Sequence, residues 1–213
     1  LYEAQGRFLR ALGKGPAFLK VGFDSQGRLF GLQLRGNLTL FDPATGKVLA
    51  ARPLSPYLFS AAQSPGGRVL ALGLSVGRVE VWDLALPGKR REVRVPGGPV
   101  YALAFSPDGR YLAVGSADGG VRLLDLLAPG GPEPRLLYAH KDLPLGLAFS
   151  PDGRYLASGG QDREVRLYDL DAGLLERVYV GHTGAVYGLD FNPQTPALAT
   201  GGGEGRVLLF RLP

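Results

Sequence analysis

Ten residues, Ala104-Phe105-Ser106-Pro107-Asp108-Gly109-Arg110-Tyr111-Leu112-Ala113, return without change as Ala148-Phe149-Ser150-Pro151-Asp152-Gly153-Arg154-Tyr155-Leu156-Ala157, 44 residues on. A chain that copies itself at a fixed distance is an array of one supersecondary unit, and the unit restricts the fold more than any composition does. Each copy reads as strand, tight turn, strand. Proline presets φ for the second position of a turn, and Asp-Gly suits its polar, left-handed end. A further apolar run follows and closes on an aromatic residue or Leu and then an acid. These endings are Phe41-Asp42, Trp82-Asp83, Leu124-Asp125 and Tyr168-Asp169, spaced by 41, 42 and 44 residues. A fifth ending, Phe210-Arg211, lacks the acid.

A unit of this length, with a Ser-Pro-Asp-Gly turn, a Gly-His (Gly181-His182) and a Trp-Asp (Trp82-Asp83), resembles the WD40 repeat. That resemblance covers essentially the whole chain. It implies an all-β fold, a β-propeller of four-stranded antiparallel blades. Five repeats are expected, at residues 18–50, 57–95, 98–138, 143–180 and 185–212, forming one domain over 1–213. The last ends after its third strand. Tyr2-Glu3 and Gly6-Arg7 align with Phe41-Asp42 and Gly46-Lys47, so residues 7–12 read as a fourth strand. Pairing that strand with the fifth repeat would close a five-bladed ring and hide an exposed sheet edge. The alternative is part of a larger ring of six to eight blades.

Composition agrees and adds limits. Gly 33 and Pro 17 in 213 residues suit a turn-rich chain. Cys 0 excludes disulfides, and two histidines leave little for a zinc site, so no metal and no cofactor are expected. No apolar run reaches the length of a membrane span. The excess of Arg over Lys points to a thermophilic source.

His140, Ser158 and Asp162 have the residue types of a nucleophile, its base and the base's orienting acid. Their recurrence as His182, Thr200 and Glu204, each 42 residues later, argues for a structural part of the repeat instead. In the WD40 repeat such residues hydrogen-bond across a blade with a Trp of the third strand. By that resemblance Tyr168 takes the Trp place in repeat four and Phe210 in repeat five. Repeat three keeps only Asp118 of the set, and repeat two only Trp82. Gly73-Leu74-Ser75-Val76-Gly77 matches a nucleophile-elbow pattern but lies between strands with no helix after it.

Four antiparallel strands alternate their connections between two faces. One face is expected to carry Arg28, Arg68, Arg110 and Arg154 after the turns, with Lys89, Arg90 and Arg91. The other takes Arg35, Tyr57, Arg78, Lys141 and Arg163 among mixed charge. With a net charge of +5, a basic rim meeting an acidic protein segment is the candidate contact. The expected function is a non-catalytic protein–protein interaction scaffold. The alternatives are polyanion or nucleic-acid binding by that rim, which lacks interleaved aromatic residues, and an enzyme with its site in the central channel.

Overall fold

The computed structural model describes residues 17–213 apart from 35, 56, 87 and 89. Its described residues form strands and turns, with no helix. Sheet one comprises β1 (Phe18–Phe23), β2 (Leu29–Gln33), β3 (Asn37–Phe41) and β4 (Val48–Pro53). Sheet two comprises β5 (Leu58–Gln63), β6 (Val69–Leu74), β7 (Arg78–Asp83) and β8 (Arg90–Arg94). Sheet three follows with β9 (Val100–Phe105), β10 (Tyr111–Ser116), β11 (Gly120–Asp125) and β12 (Arg135–Ala139). Sheet four holds β13 (Pro144–Phe149), β14 (Tyr155–Gly160), β15 (Val165–Asp169) and β16 (Leu174–Tyr179). Sheet five has three strands, β17 (Val186–Phe191), β18 (Ala197–Gly202) and β19 (Val207–Arg211). Every pairing is antiparallel between sequence neighbours, so each sheet is a meander. The strand expected at residues 7–12, and the ring closure that depends on it, lie outside the described residues.

The chain divides into two compact units, Leu1–Tyr57 and Leu58–Pro213. Sheet one belongs to the first, where Phe30, Leu32 and Leu38 are fully buried. Sheets two to five make the second, and its core lies between sheets. Ala71, Val79, Val93 and Val95 of sheet two and its flank meet Val100, Leu112, Val114 and Leu124. Ala113, Val121, Leu123 and Tyr138 meet Leu156 and Tyr168. Ala157, Val165 and Leu167 meet Val186, Phe191 and Leu198. Middle strands are therefore buried on both faces, while β16 is exposed for most of its length. Close approach of one sheet to the next depends on glycine. A Cβ at Gly73, Gly115 or Gly159 would come within 2.6 Å of Val100, 2.9 Å of Pro144 or 2.5 Å of Val186 in the following inner strand.

The repeated decapeptide is a turn stapled by its own side chains. The Ser106 hydroxyl accepts from Tyr111 N at 2.8 Å and donates to Asp108 Oδ1 at 2.5 Å, and that carboxylate accepts from Arg110 N at 3.0 Å. Gly109 supplies the left-handed residue, with φ 72°. Ser150, Asp152, Gly153 and Tyr155 repeat the pattern. The serine hydrogen bond, first among the causes, holds the Asp108 and Asp152 carboxyls below the usual range.

Candidate functional site

His140 follows β12, Ser158 stands on β14, and Asp162 lies in the turn after it. His140 Nε2 is 2.6 Å from Ser158 Oγ, and its Nδ1 is 3.0 Å from both Asp162 oxygens. A carboxylate can only accept, so Nδ1 carries the proton and Nε2 accepts from the serine. The serine oxygen in turn accepts from the Tyr138 hydroxyl at 2.9 Å. A neutral imidazole satisfies every member of this chain. Burial, opposed by Asp162, lowers the His140 pKa, and burial raises that of Tyr138.

The hydroxyl that reaches Ser158 thus belongs to Tyr138, not to Tyr168 in the expected Trp place. Tyr168 stacks on Tyr138 instead, with centroids 5.4 Å apart and planes at 25°. The physical reason is reach: the outer-strand tyrosine can send its hydroxyl across to β14, with Tyr168 serving as the apolar floor. In sheet five His182 bonds Thr200 Oγ1 at 2.7 Å and Glu204 Oε1 at 2.6 Å. The longer Glu204 also accepts from Gly184 N at 3.0 Å, and the bond from His182 leads the causes that lower its pKa. Phe210 has no polar atom to contribute and packs on Tyr179, 4.6 Å away.

The other two sheets of this unit use charge where sheets four and five use histidine. In sheet three Asp118 forks onto Arg122, at 3.0 and 2.5 Å. In sheet two the Trp82 indole donates to the buried Glu80 at 2.9 Å, and Arg90 bonds the same carboxylate at 3.1 Å from 5.7 Å above the indole. Sequence reasoning did not single out Tyr138, Glu80 or Arg122. The available signal was a tyrosine just before each histidine, Tyr138 and Tyr179.

Sequence-selected cations of the turn face are engaged with carboxylates. Arg68 pairs with Asp83 at 3.0 Å, Arg110 with Asp125 at 2.7 Å, Arg154 with Asp169 at 2.7 Å and Arg28 with Asp24 at 2.6 Å. The first three pairs share a separation of 15 residues, so the acid closing each third strand holds the arginine of the first turn. These arginines, first among the causes, lower the Asp83, Asp125 and Asp169 carboxyls. Arg110 and Arg154 also lie over Tyr111 and Tyr155, at 5.0 and 4.9 Å. Arg91 donates to the Leu126 carbonyl at 2.8 Å. Lys89 and Arg35 lie outside the described residues. Arg78 pairs with Glu92 at 3.0 Å and Lys141 with Glu164 at 2.8 Å. Arg163 and Tyr57 are exposed, both with positive φ, 67° and 74°.

Within the Leu58–Pro213 unit, a cavity of about 360 Å³ is bordered by the inner strands β5, β9, β13 and β17. Phe59, Tyr101, Leu145 and Tyr187 line it, and its lining holds no carboxylate, histidine or lysine. Ser158, by contrast, is fully buried, and its hydroxyl is shared between Tyr138 and His140. The Ser-His-Asp geometry is therefore closed to a substrate carbonyl.

The family described as "WD domain, G-beta repeat" matches residues 90–125, 131–169 and 173–211, more than half of the chain. Each matched unit takes the outer strand of one sheet and the three inner strands of the next. No curated protein sequence matches. Among solved structures, a chain in the crystal structure of the mitotic checkpoint complex is similar at 25% identity and TM-score 0.78. The match covers 90% of this chain and 59% of that one, so this chain spans less than two thirds of that relative's length. The Myceliophteria thermophila Cps50 (Swd1) beta-propeller domain is similar at 21% identity and TM-score 0.79, over 95% of this chain and 68% of that one.

Proposed function

The chain belongs to the WD40 repeat family, and on that footing we propose that it is a non-catalytic scaffold that presents propeller loops to other proteins. The observation that carries this reading is the use made of the chemically capable residues. His140, Ser158 and Asp162 are tied to one another and to Tyr138 where the outer strand of sheet three meets sheet four, and there they satisfy one another's buried polar atoms. Exposed loops on rigid, hydrogen-bonded sheets suit recognition. Similarity to a chain of the mitotic checkpoint complex supports an assembly role. The paired arginines of the turn face leave the polyanion reading with less free positive charge than their number suggests.

The test is Ser158→Ala. It removes the acceptor of Tyr138 and the donor to His140, so stability in chemical denaturation falls by about 2–4 kcal/mol. Any partner retained by the folded wild-type chain is retained by the folded variant. A hydrolytic turnover of an ester panel that disappears in the variant overturns the scaffold reading.

A further inference from the structure

The turn between the second and third strands holds one position that all five repeats share. Gly36, Gly77, Gly119 and Gly205 occupy it with φ of 81°, 67°, 83° and 80°, and sheet four has Arg163 there with φ 67°. Left-handed backbone is costly for any residue with a Cβ. At three of these places the space is closed as well, whereas a Cβ at Gly205 would meet nothing within 4 Å. A Cβ at Gly36, Gly77 or Gly119 would meet a backbone carbonyl at 2.6, 2.9 or 2.4 Å, from Ser55, Val95 or His140. Sheet four thus carries a long side chain where its sister repeats have none.

Among the described residues no side-chain contact compensates. Arg163 is exposed, and among the described residues its guanidinium has no hydrogen bond or ion pair. The acids on either side of it are already engaged. Asp162 accepts from His140 at 3.0 Å and from Lys141 N at 3.0 Å. Glu164 binds Lys141 Nζ at 2.8 Å and Arg166 Nη2 at 2.7 Å. Strain retained without an internal return is the mark of a residue whose contact lies outside the chain.

We propose that Arg163 is the anchor by which this end of sheet four grips an acidic side chain of a protein partner. The proposal rests on the scaffold reading and adds to it a face and a partner chemistry. The guanidinium fork matches a carboxylate bidentately, and no other group of this loop competes for it. Lys141, three-quarters exposed at the same end, is itself occupied by Glu164 at 2.8 Å.

The experiment titrates the full chain against a fluorescein-labelled Asp/Glu-rich decapeptide at low and physiological salt, followed by anisotropy. Wild type, Arg163→Gly, Arg163→Asn and Arg163→Lys are compared, each with a thermal melt. Asn tolerates left-handed backbone and removes only the charge. The expected result is salt-sensitive binding that falls about tenfold or more in the Gly and Asn variants and is partly kept by Lys. The melting temperature of the Gly variant rises by about 2–4 °C as the strain is relieved. Equal binding by wild type and the Gly variant overturns the anchor while leaving the scaffold reading intact. So does a wild type that ignores the peptide but binds a single-stranded RNA oligonucleotide. A lower melting temperature in the Gly variant shows Arg163 to be structural and also overturns it. Failure of the scaffold reading would appear separately, as the turnover lost in Ser158→Ala.

Discussion

At the scale of single residues, the chain solves one problem in different ways: how to satisfy polar groups beside the outer strand of a sheet. His140 solves it as a neutral ring, which makes stability depend on pH. Its pKa in the folded protein lies below the ordinary value of 6.5, with burial as the chief cause. Between that ordinary value and the lower folded one, the unfolded chain binds a proton that the folded chain refuses, so stability rises with pH across the window. The contribution is complete above about pH 6.5 and is lost as pH falls toward the folded pKa. Urea denaturation at steps from pH 7.5 to 5 is expected to show this decline in wild type. It is expected to flatten in His140→Asn, from a lower starting stability. The carboxyls lowered by Arg68, Arg110 and Arg154 act in a separate window, near and below about pH 4. The histidine, serine and acid of this network were legible from their 42-residue recurrence. Tyr138 was not, because its counterpart Tyr179 stands one residue farther from its histidine, and a bulge between Val121 and Arg122 shifts the outer-strand register.

At the scale of elements, the strand–turn–strand unit could be read almost complete, since Pro and Asp-Gly dictate the turn and apolar runs dictate the strands. What the alternation of strands could not show is which charges meet. Arg110 and Asp125, or Arg154 and Asp169, looked like a rim cation and a motif acid, and only the hairpin brings them to 2.7 Å. The constant separation of 15 residues was the available clue. Equally hidden was the role of Gly73, Gly115 and Gly159, which make room for the next sheet rather than a turn. Gly159→Ala would place a Cβ 2.5 Å from Val186 Cγ1 and 3.0 Å from its carbonyl oxygen. Overpacking of this kind costs about 1–3 kcal/mol. Equilibrium denaturation is expected to show it as a lower midpoint with an unchanged slope. A neutral result would mean that β14 and β17 do not approach as closely as described.

At the scale of the Leu58–Pro213 unit, stability comes from three apolar cores placed between successive sheets, so protection should follow position within a sheet rather than position in the chain. The strands β10 and β14 have hydrogen-bonded neighbours on both sides and are buried on both faces. The strand β16 has one neighbour and every residue but Tyr179 exposed, and β12 has one neighbour with Arg135, Leu136 and Ala139 exposed. Local opening needs little apolar burial to be undone at such strands, so their amides open by the cheapest fluctuations. Hydrogen exchange read by mass spectrometry is expected to label β12 and β16 first and β10 and β14 last, with Tyr138 as a local exception held by Ser158. Leu167→Ala removes a fully buried side chain from the core shared by sheets four and five. It should cost about 2–5 kcal/mol and accelerate exchange in β14 and β17 more than in β6. Uniform acceleration across all four sheets would show instead that the unit opens only as a whole, and that the three cores are not separable.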